Sequence, residues 1–291
     1  QVFIGRNDSS GLISLGNDVV LNNPVTLRSP LSTGAINTSG FNFRNITGNV
    51  TFLANQNITV GNIIAPGIAT SLTSTTGAID TSSGTIDTSN DGNGGNISFS
   101  SATGSTFGSL NTASSVIGNA GAIAFSNGNV ILAGSSINAS SNNGTAANLT
   151  FAFPVTLSSP TLTINTVSNS GTNGAVTFLN AVNGSSAGVN NLTINSGSGN
   201  IAFNNSVGSS TTPLGALFVN STSTTRFNST VNAASLITNA GGTTELNGNI
   251  TTSGTQTFND AVTLTNAVQL DLSLIHISEP TRQAEISYAV F

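Results

Sequence analysis

What most constrains the fold of this chain is repetition. A short apolar alternation, a polar turn and a second alternation ending in Phe or Leu return along most of its length. One copy is Leu162-Thr163-Ile164-Asn165 followed by Gly174-Ala175-Val176-Thr177-Phe178. The next is Leu192-Thr193-Ile194-Asn195 with Gly199-Asn200-Ile201-Ala202-Phe203. Leu217-Phe218-Val219-Asn220 with Thr225-Arg226-Phe227 makes a third, and Leu236-Ile237-Thr238-Asn239 with Thr244-Glu245-Leu246 a looser fourth. The period is irregular, roughly 19–30 residues, near the range of solenoid repeats. Shorter versions fill the first half: Gly48-Asn49-Val50-Thr51-Phe52, Gly61-Asn62-Ile63-Ile64, Gly95-Asn96-Ile97-Ser98-Phe99 and Gly128-Asn129-Val130-Ile131-Leu132. Gly-Asn is expected to turn the corner because both residues tolerate positive φ. A short alternating strand then follows.

No segment shows a helical period with caps. Short strands joined by polar turns also build sandwiches and barrels, but near-identical strand–turn units favour a solenoid. The expected fold is all-β, a parallel β-helix whose coils stack at about 4.8 Å. At about 22 residues per coil, residues 1–271 would form a rod on the order of 60 Å long. Inward Ile, Val, Leu and Phe would line a narrow core, and outward Thr, Ser and Asn would form neutral ladders.

Composition fits that picture. Charged residues are 5% of the chain, against roughly 25% in typical soluble domains. Like charges would stack above one another along a ladder, which disfavours them. Low charge alone suggests disorder, but hydrophobic residues reach 37% and recur at short intervals. The net charge is −5, with no Lys and only Arg6, Arg28, Arg44 and Arg226 before the final segment. No basic stripe exists to meet phosphates, which argues against nucleic-acid binding and against a polybasic membrane-surface role. The absence of Cys excludes disulfides and thiolate metal sites, and it suits a chain that crosses a membrane unfolded. No stretch is long and apolar enough to span a bilayer. No leader is visible at Gln1, and both ends read as truncated.

Gly94-Gly95-Asn96-Ile97-Ser98-Phe99, Gly199-Asn200-Ile201-Ala202-Phe203-Asn204 and Phe258-Asn259-Asp260-Ala261-Val262-Thr263-Leu264 resemble filamentous-haemagglutinin-type repeats of large bacterial exoproteins. The resemblance covers most of residues 1–271. It implies a right-handed parallel β-helix (β-solenoid), surface adhesion, and secretion through a dedicated outer-membrane partner. The N-terminal secretion domain of such proteins is not recognisable here.

Composition changes abruptly near Asp271. The only His (His276) and the only Tyr (Tyr288) lie beyond it. Leu272-Ser273-Leu274-Ile275-His276-Ile277-Ser278-Glu279-Pro280-Thr281-Arg282 resembles a sequencing-library adapter translated in frame. Gln283-Ala284-Glu285 falls where a sample index would lie, and Ile286-Ser287-Tyr288-Ala289-Val290-Phe291 resembles the constant region after it. The chain therefore divides into a repeat segment, 1–271, and a non-native tail, 272–291. A genuine solenoid cap would be the other reading of the tail, but the stretch has no clean period.

Catalysis has little raw material. General acid–base work needs His, paired carboxylates, Lys or Tyr, and here His and Tyr fall in the tail. The Ser residues have no His partner for a triad. Asp80 and Asp87 stand at equivalent places in Gly77-Ala78-Ile79-Asp80-Thr81-Ser82 and Gly84-Thr85-Ile86-Asp87-Thr88-Ser89, which raises the question whether they stack on one face. Two solvent-facing turn residues are the favoured reading, because Asp favours turns intrinsically. The richest oxygen cluster holds Asp87, Ser89 and Asp91, a weak calcium candidate; its opening resembles an EF-hand loop, but Ser98 stands where the acidic ligand belongs. Gly92-Asn93-Gly94-Gly95 lacks the Lys of a phosphate loop. Asn-x-Ser/Thr triplets such as Asn45-Ile46-Thr47 and Asn148-Leu149-Thr150 are expected by chance in so Asn- and Ser-rich a chain. Arg226, beside Phe227, reads as an outward strand residue or as a contact for a carbohydrate or carboxylate.

The expected function is a non-catalytic stalk or adhesin segment of a large secreted bacterial surface protein, with no cofactor. Its expected partners are an outer-membrane secretion protein and surface glycans or neighbouring cells. A carbohydrate-active β-helix enzyme and an ice-binding solenoid are the alternatives. The first needs clustered titratable groups, and the second needs regular Thr rows that the irregular period argues against.

Overall fold

The structure, a computed structural model, describes residues 1–126 and 128–272. The bulk of the tail, 273–291, lies outside them. The described chain is a parallel β-solenoid of about 11 turns without helix. Every strand pairing is parallel and joins one coil to the next.

The strands form three lengthwise faces. On the first, strands such as Val50–Ala54, Thr70–Ser74 and Ile97–Ser101 bury alternate residues. Their inward column runs Leu27, Phe52, Leu72, Phe99, Phe125 and continues as Phe151, Phe178, Phe203, Phe227, Leu246. Among the described residues no backbone ladder joins the two runs, but the rings of Phe125 and Phe151 stack at 5.4 Å and 21°. Further along, Phe178 and Phe203 lie 5.1 Å apart and 1° from parallel. The second face carries the inward column Ile36, Ile58, Ile79, Ser105, Val130, Val155, Val182, Val207, Val231, Ile250. The third carries Phe43, Ile63, Ile86, Leu110, Ile137, Ile164, Ile194, Val219. β-Branched and aromatic residues fit a pleated surface covered on its inner side. No single coil could bury them alone; stacking makes one continuous core.

The sequence units map onto these faces. Leu162-Thr163-Ile164-Asn165 pairs residue for residue with the unit beginning at Leu192, and the runs ending in Phe supply the first face. Coil length varies because only the corners change. Val50 pairs with Thr70 and Thr70 with Ile97, coils of 20 and 27 residues on one face. Ile164 pairs with Ile194, 30 residues on, and Thr244 with Val262, only 18 on. About 11 turns at about 4.8 Å each give a rod roughly 50 Å long, shorter than the expected length because coils average more than 22 residues.

One expectation needs correction. Among the corner glycines Gly48, Gly61, Gly95, Gly128 and Gly199, only Gly128 has positive φ, +80°. The reason for glycine is room. A Cβ on Gly95 would stand 2.1 Å from the Ile68 carbonyl oxygen, and one on Gly199 2.2 Å from that of Gly174. Adjacent coils meet backbone to backbone there, and any side chain would push them apart. Asp80 and Asp87, favoured as turn residues over a stacked pair, do not stack. Asp80 pairs with Thr106 on the second face and Asp87 with Asn111 on the third; the two short units are successive sides of one coil.

Candidate functional site

The third face ends in a column of amides headed by one carboxylate. Asp87, Asn111, Asn138, Asn165, Asn195 and Asn220 occupy equivalent places in successive coils. Each of the first four ends its strand in the same way. The side-chain oxygen accepts the amide two residues on: Ser89 N to Asp87 Oδ1 at 3.0 Å, Ala113 N to Asn111 at 3.3 Å, Ser140 N to Asn138 at 3.3 Å, Val167 N to Asn165 at 3.2 Å. Asn and Asp do this better than other side chains, mimicking a backbone turn. Two Asn-x-Ser/Thr triplets thus have a structural reason: Asn37 accepts from Ser39 N and Oγ, and Asn138 from Ser140 N.

The next residue points inward and closes the loop that follows. Thr88 Oγ1 donates to Gly95 O at 2.6 Å, Thr112 to Gly121 O at 2.7 Å and Thr166 to Gly174 O at 2.7 Å. Ala139, which has no hydroxyl, keeps the backbone half of this closure, accepting from Ala147 N at 2.9 Å. The loops so tied form an arm beside the third face, itself stacked through Asn90, Ser114, Ser141 and Ser168.

Between the amide column and this arm runs an open trough of about 560 Å³. Asn138, Asn165 and Asn195 line one side; Ser115, Ser141, Asn142 and Asn169 line the other, and Ala113 and Val167 are its apolar contacts. No charged side chain lines it. The Oδ1 atoms of Asn138 and Asn165 are held in their turns, and Asn195 Oδ1 accepts from Asn220 Nδ2 at 2.7 Å. The Nδ2 donors of Asn138, Asn165 and Asn195 have no partner among the described residues. Ser114, which also lines the trough, is only 2% exposed, and its Oγ is unpartnered. Its column neighbours are satisfied: Ser141 Oγ donates to Gly118 O and Ser168 Oγ to Gly144 O.

The calcium candidates lie at the near end of this region. Asp87 Oδ1 accepts from Ser89 N and Oγ, whereas Asp91 Oδ1 reaches the next coil and accepts from Ser115 Oγ at 2.6 Å. The loop therefore spends these carboxylates on separate hydrogen bonds. Among the described residues no group of three or more His, Cys, Asp or Glu is placed to hold a metal.

Arg226 points outward on the first face and pairs with Glu245 of the next coil, Nε to Oε2 at 2.5 Å. That hydrogen bond, with the carboxylate's charge, raises the guanidinium pKa above its ordinary value. Near the N-terminal end, Asp18 accepts from Asn42 Nδ2 and N and faces Arg44 at 2.7 Å. The Asn42 hydrogen bonds, first the side chain's and then the backbone's, hold the Asp18 carboxyl below the usual carboxylate range; burial opposes them, and the Arg44 charge adds a lesser lowering.

The neutral ladders were legible from the sequence, because Asn follows Ile in recurring units such as Ile137-Asn138, Ile164-Asn165 and Ile194-Asn195. The trough was not. It depends on the arm folding back beside the column, and the signal for that is the paired Thr and Gly of Thr88/Gly95, Thr112/Gly121 and Thr166/Gly174, 7, 9 and 8 residues apart. Comparison of the chain with family models, curated proteins and solved structures finds no match.

Proposed function

We propose that this chain is a stretch of rigid stalk from a large secreted bacterial surface adhesin, with no catalytic chemistry of its own. The observation that carries the reading is the continuous core: three inward columns stack coil upon coil, with side-chain hydrogen bonds of Asn residues at the turns of the third face. A rod built this way transmits load along its axis and presents the same chemistry coil after coil. The filamentous-haemagglutinin resemblance supplies the setting, including export through an outer-membrane partner. The lack of Cys agrees with such export.

Turnover of polysaccharide is disfavoured by the trough itself. Glycoside cleavage calls for a pair of carboxyl groups flanking the bond, and none lines it. The test is small-angle scattering on the purified chain together with incubation on neutral and acidic polysaccharides. A particle elongated to about 50 Å and no release of reducing ends are expected. A compact particle would remove the stalk reading, and reproducible cleavage would remove the non-catalytic one.

A further inference from the structure

We infer that the trough beside the amide column docks a neutral, linear polysaccharide laid along the solenoid axis; this rests on the adhesin reading and gives it a ligand class and a place.

Repeat distance is the first argument. Asn138, Asn165 and Asn195 present amide donors in three successive coils, spaced by the coil rise of about 4.8 Å. An extended chain of β-linked hexoses advances by a similar distance per sugar. One ligand hydroxyl or ring oxygen per coil can therefore meet one amide per coil. The donors are already oriented, because the Oδ1 atoms of Asn138 and Asn165 are pinned in their turns, so little side-chain freedom is lost on binding.

Charge selects among glycans. The lining is neutral, and the nearest acids, Asp87 and Asp91, lie toward one end. Uronate or sulfate groups would find no cation and would be repelled there. A peptide strand fits poorly as well. The backbone of the amide column is already paired coil to coil, and only Ala113 and Val167 offer apolar contact.

The test is calorimetric titration of the whole chain with cello- and manno-oligosaccharides, both extended β-1,4-linked hexose chains, and with oligogalacturonates as the acidic control. Binding of at least one neutral series is expected to strengthen as the oligomer lengthens to span three coils. The oligogalacturonates should bind about tenfold or more weakly. Asn138→Ser with Asn165→Ser keeps an oxygen for each turn but shortens the donor's reach, and should weaken binding about tenfold, the value of one or two hydrogen bonds. Asn169→Trp, on the exposed rim, should fill the trough and abolish binding without touching the core, with circular dichroism as the check on folding. No binding by any neutral series, tighter binding of the acidic one, or binding unaffected by Asn169→Trp would overturn the inference. Scattering on the same samples separates the two readings: a rod that binds nothing removes the docking site and leaves the stalk, whereas a compact particle removes the stacked coils that both require.

Discussion

Polar residues inside this core act in two opposite ways, and substitution should separate them. Ser105 interrupts the Ile/Val column of the second face, yet it is satisfied: it accepts from Ile79 N at 2.9 Å and donates to Ser101 Oγ at 2.8 Å. Thr225 sits in the first face between Ile201 and Thr244, fully buried, with its hydroxyl unpartnered. Ser105→Val matches the column better by shape but strands the Ile79 amide, and should destabilise the fold by about 1–3 kcal/mol. Thr225→Val keeps the shape and removes an unpaired hydroxyl, and should stabilise by about 1 kcal/mol. Thermal melts of the two variants are therefore expected to move in opposite directions. Asp18 gives a pH signature. Its pKa is lowered on folding, so its contribution is fully present above the unfolded value of 3.8 and is lost as pH falls through the lower folded value. Hydrogen exchange at the Asn42 amide, which donates to Asp18, should remain protected at about pH 4–5 and lose protection below the unfolded pKa. Unchanged protection there would contradict this assignment.

At the scale of the element, the aromatic column of the first face is the spine. Phe151, Phe178 and Phe203 are all buried and stack nearly parallel, at 4.7 Å and 5° and then 5.1 Å and 1°. Parallel in-register strands make such stacking automatic, because equivalent side chains repeat at the coil rise. Phe178→Ala opens a cavity between two rings and should cost about 3–5 kcal/mol. Phe178→Leu should cost much less, since Leu72 holds the same position between Phe52 and Phe99. Chemical denaturation of both variants measures the difference. The outward Thr177 neighbours the same strand position but faces solvent, so Thr177→Ala should fall within about 0.5 kcal/mol of the parent.

For the whole molecule, charge is nearly irrelevant to folding. The ion pairs Arg6–Asp8, Arg44–Asp18 and Arg226–Glu245 are substantially exposed, and such pairs contribute little. Stability is instead a sum over coils and their interfaces, each coil touching only its neighbours. That additivity bears on the segment beginning at Leu272. Leu272 ends the strand Leu270–Leu272 and pairs with Thr252, but an open solenoid edge accepts any strand-compatible sequence. We propose that residues 272–291 are adapter-derived. Amplification across this junction from source DNA is expected to lack codons for them; finding them there in frame would refute the proposal.

The sequence by itself determined that this chain would be a parallel β-solenoid. The period-2 alternation of units such as Leu192-Thr193-Ile194-Asn195 sets which residues face inward, and near-identical units can bury that side only by stacking. It also determined where the chain turns, since Gly and Asn mark the strand ends. Only the tertiary structure decided why those glycines are needed, because the contact is with a carbonyl of the previous coil, 27 residues away for Gly95 and Ile68. Tertiary structure likewise decided that Asp80 and Asp87 lie on different faces, since two units that look like successive coils are two sides of one. The trough was decided there too. A local motif specifies a turn, but a concave surface needs the arm and the amide column brought together, and that depends on contacts between coils.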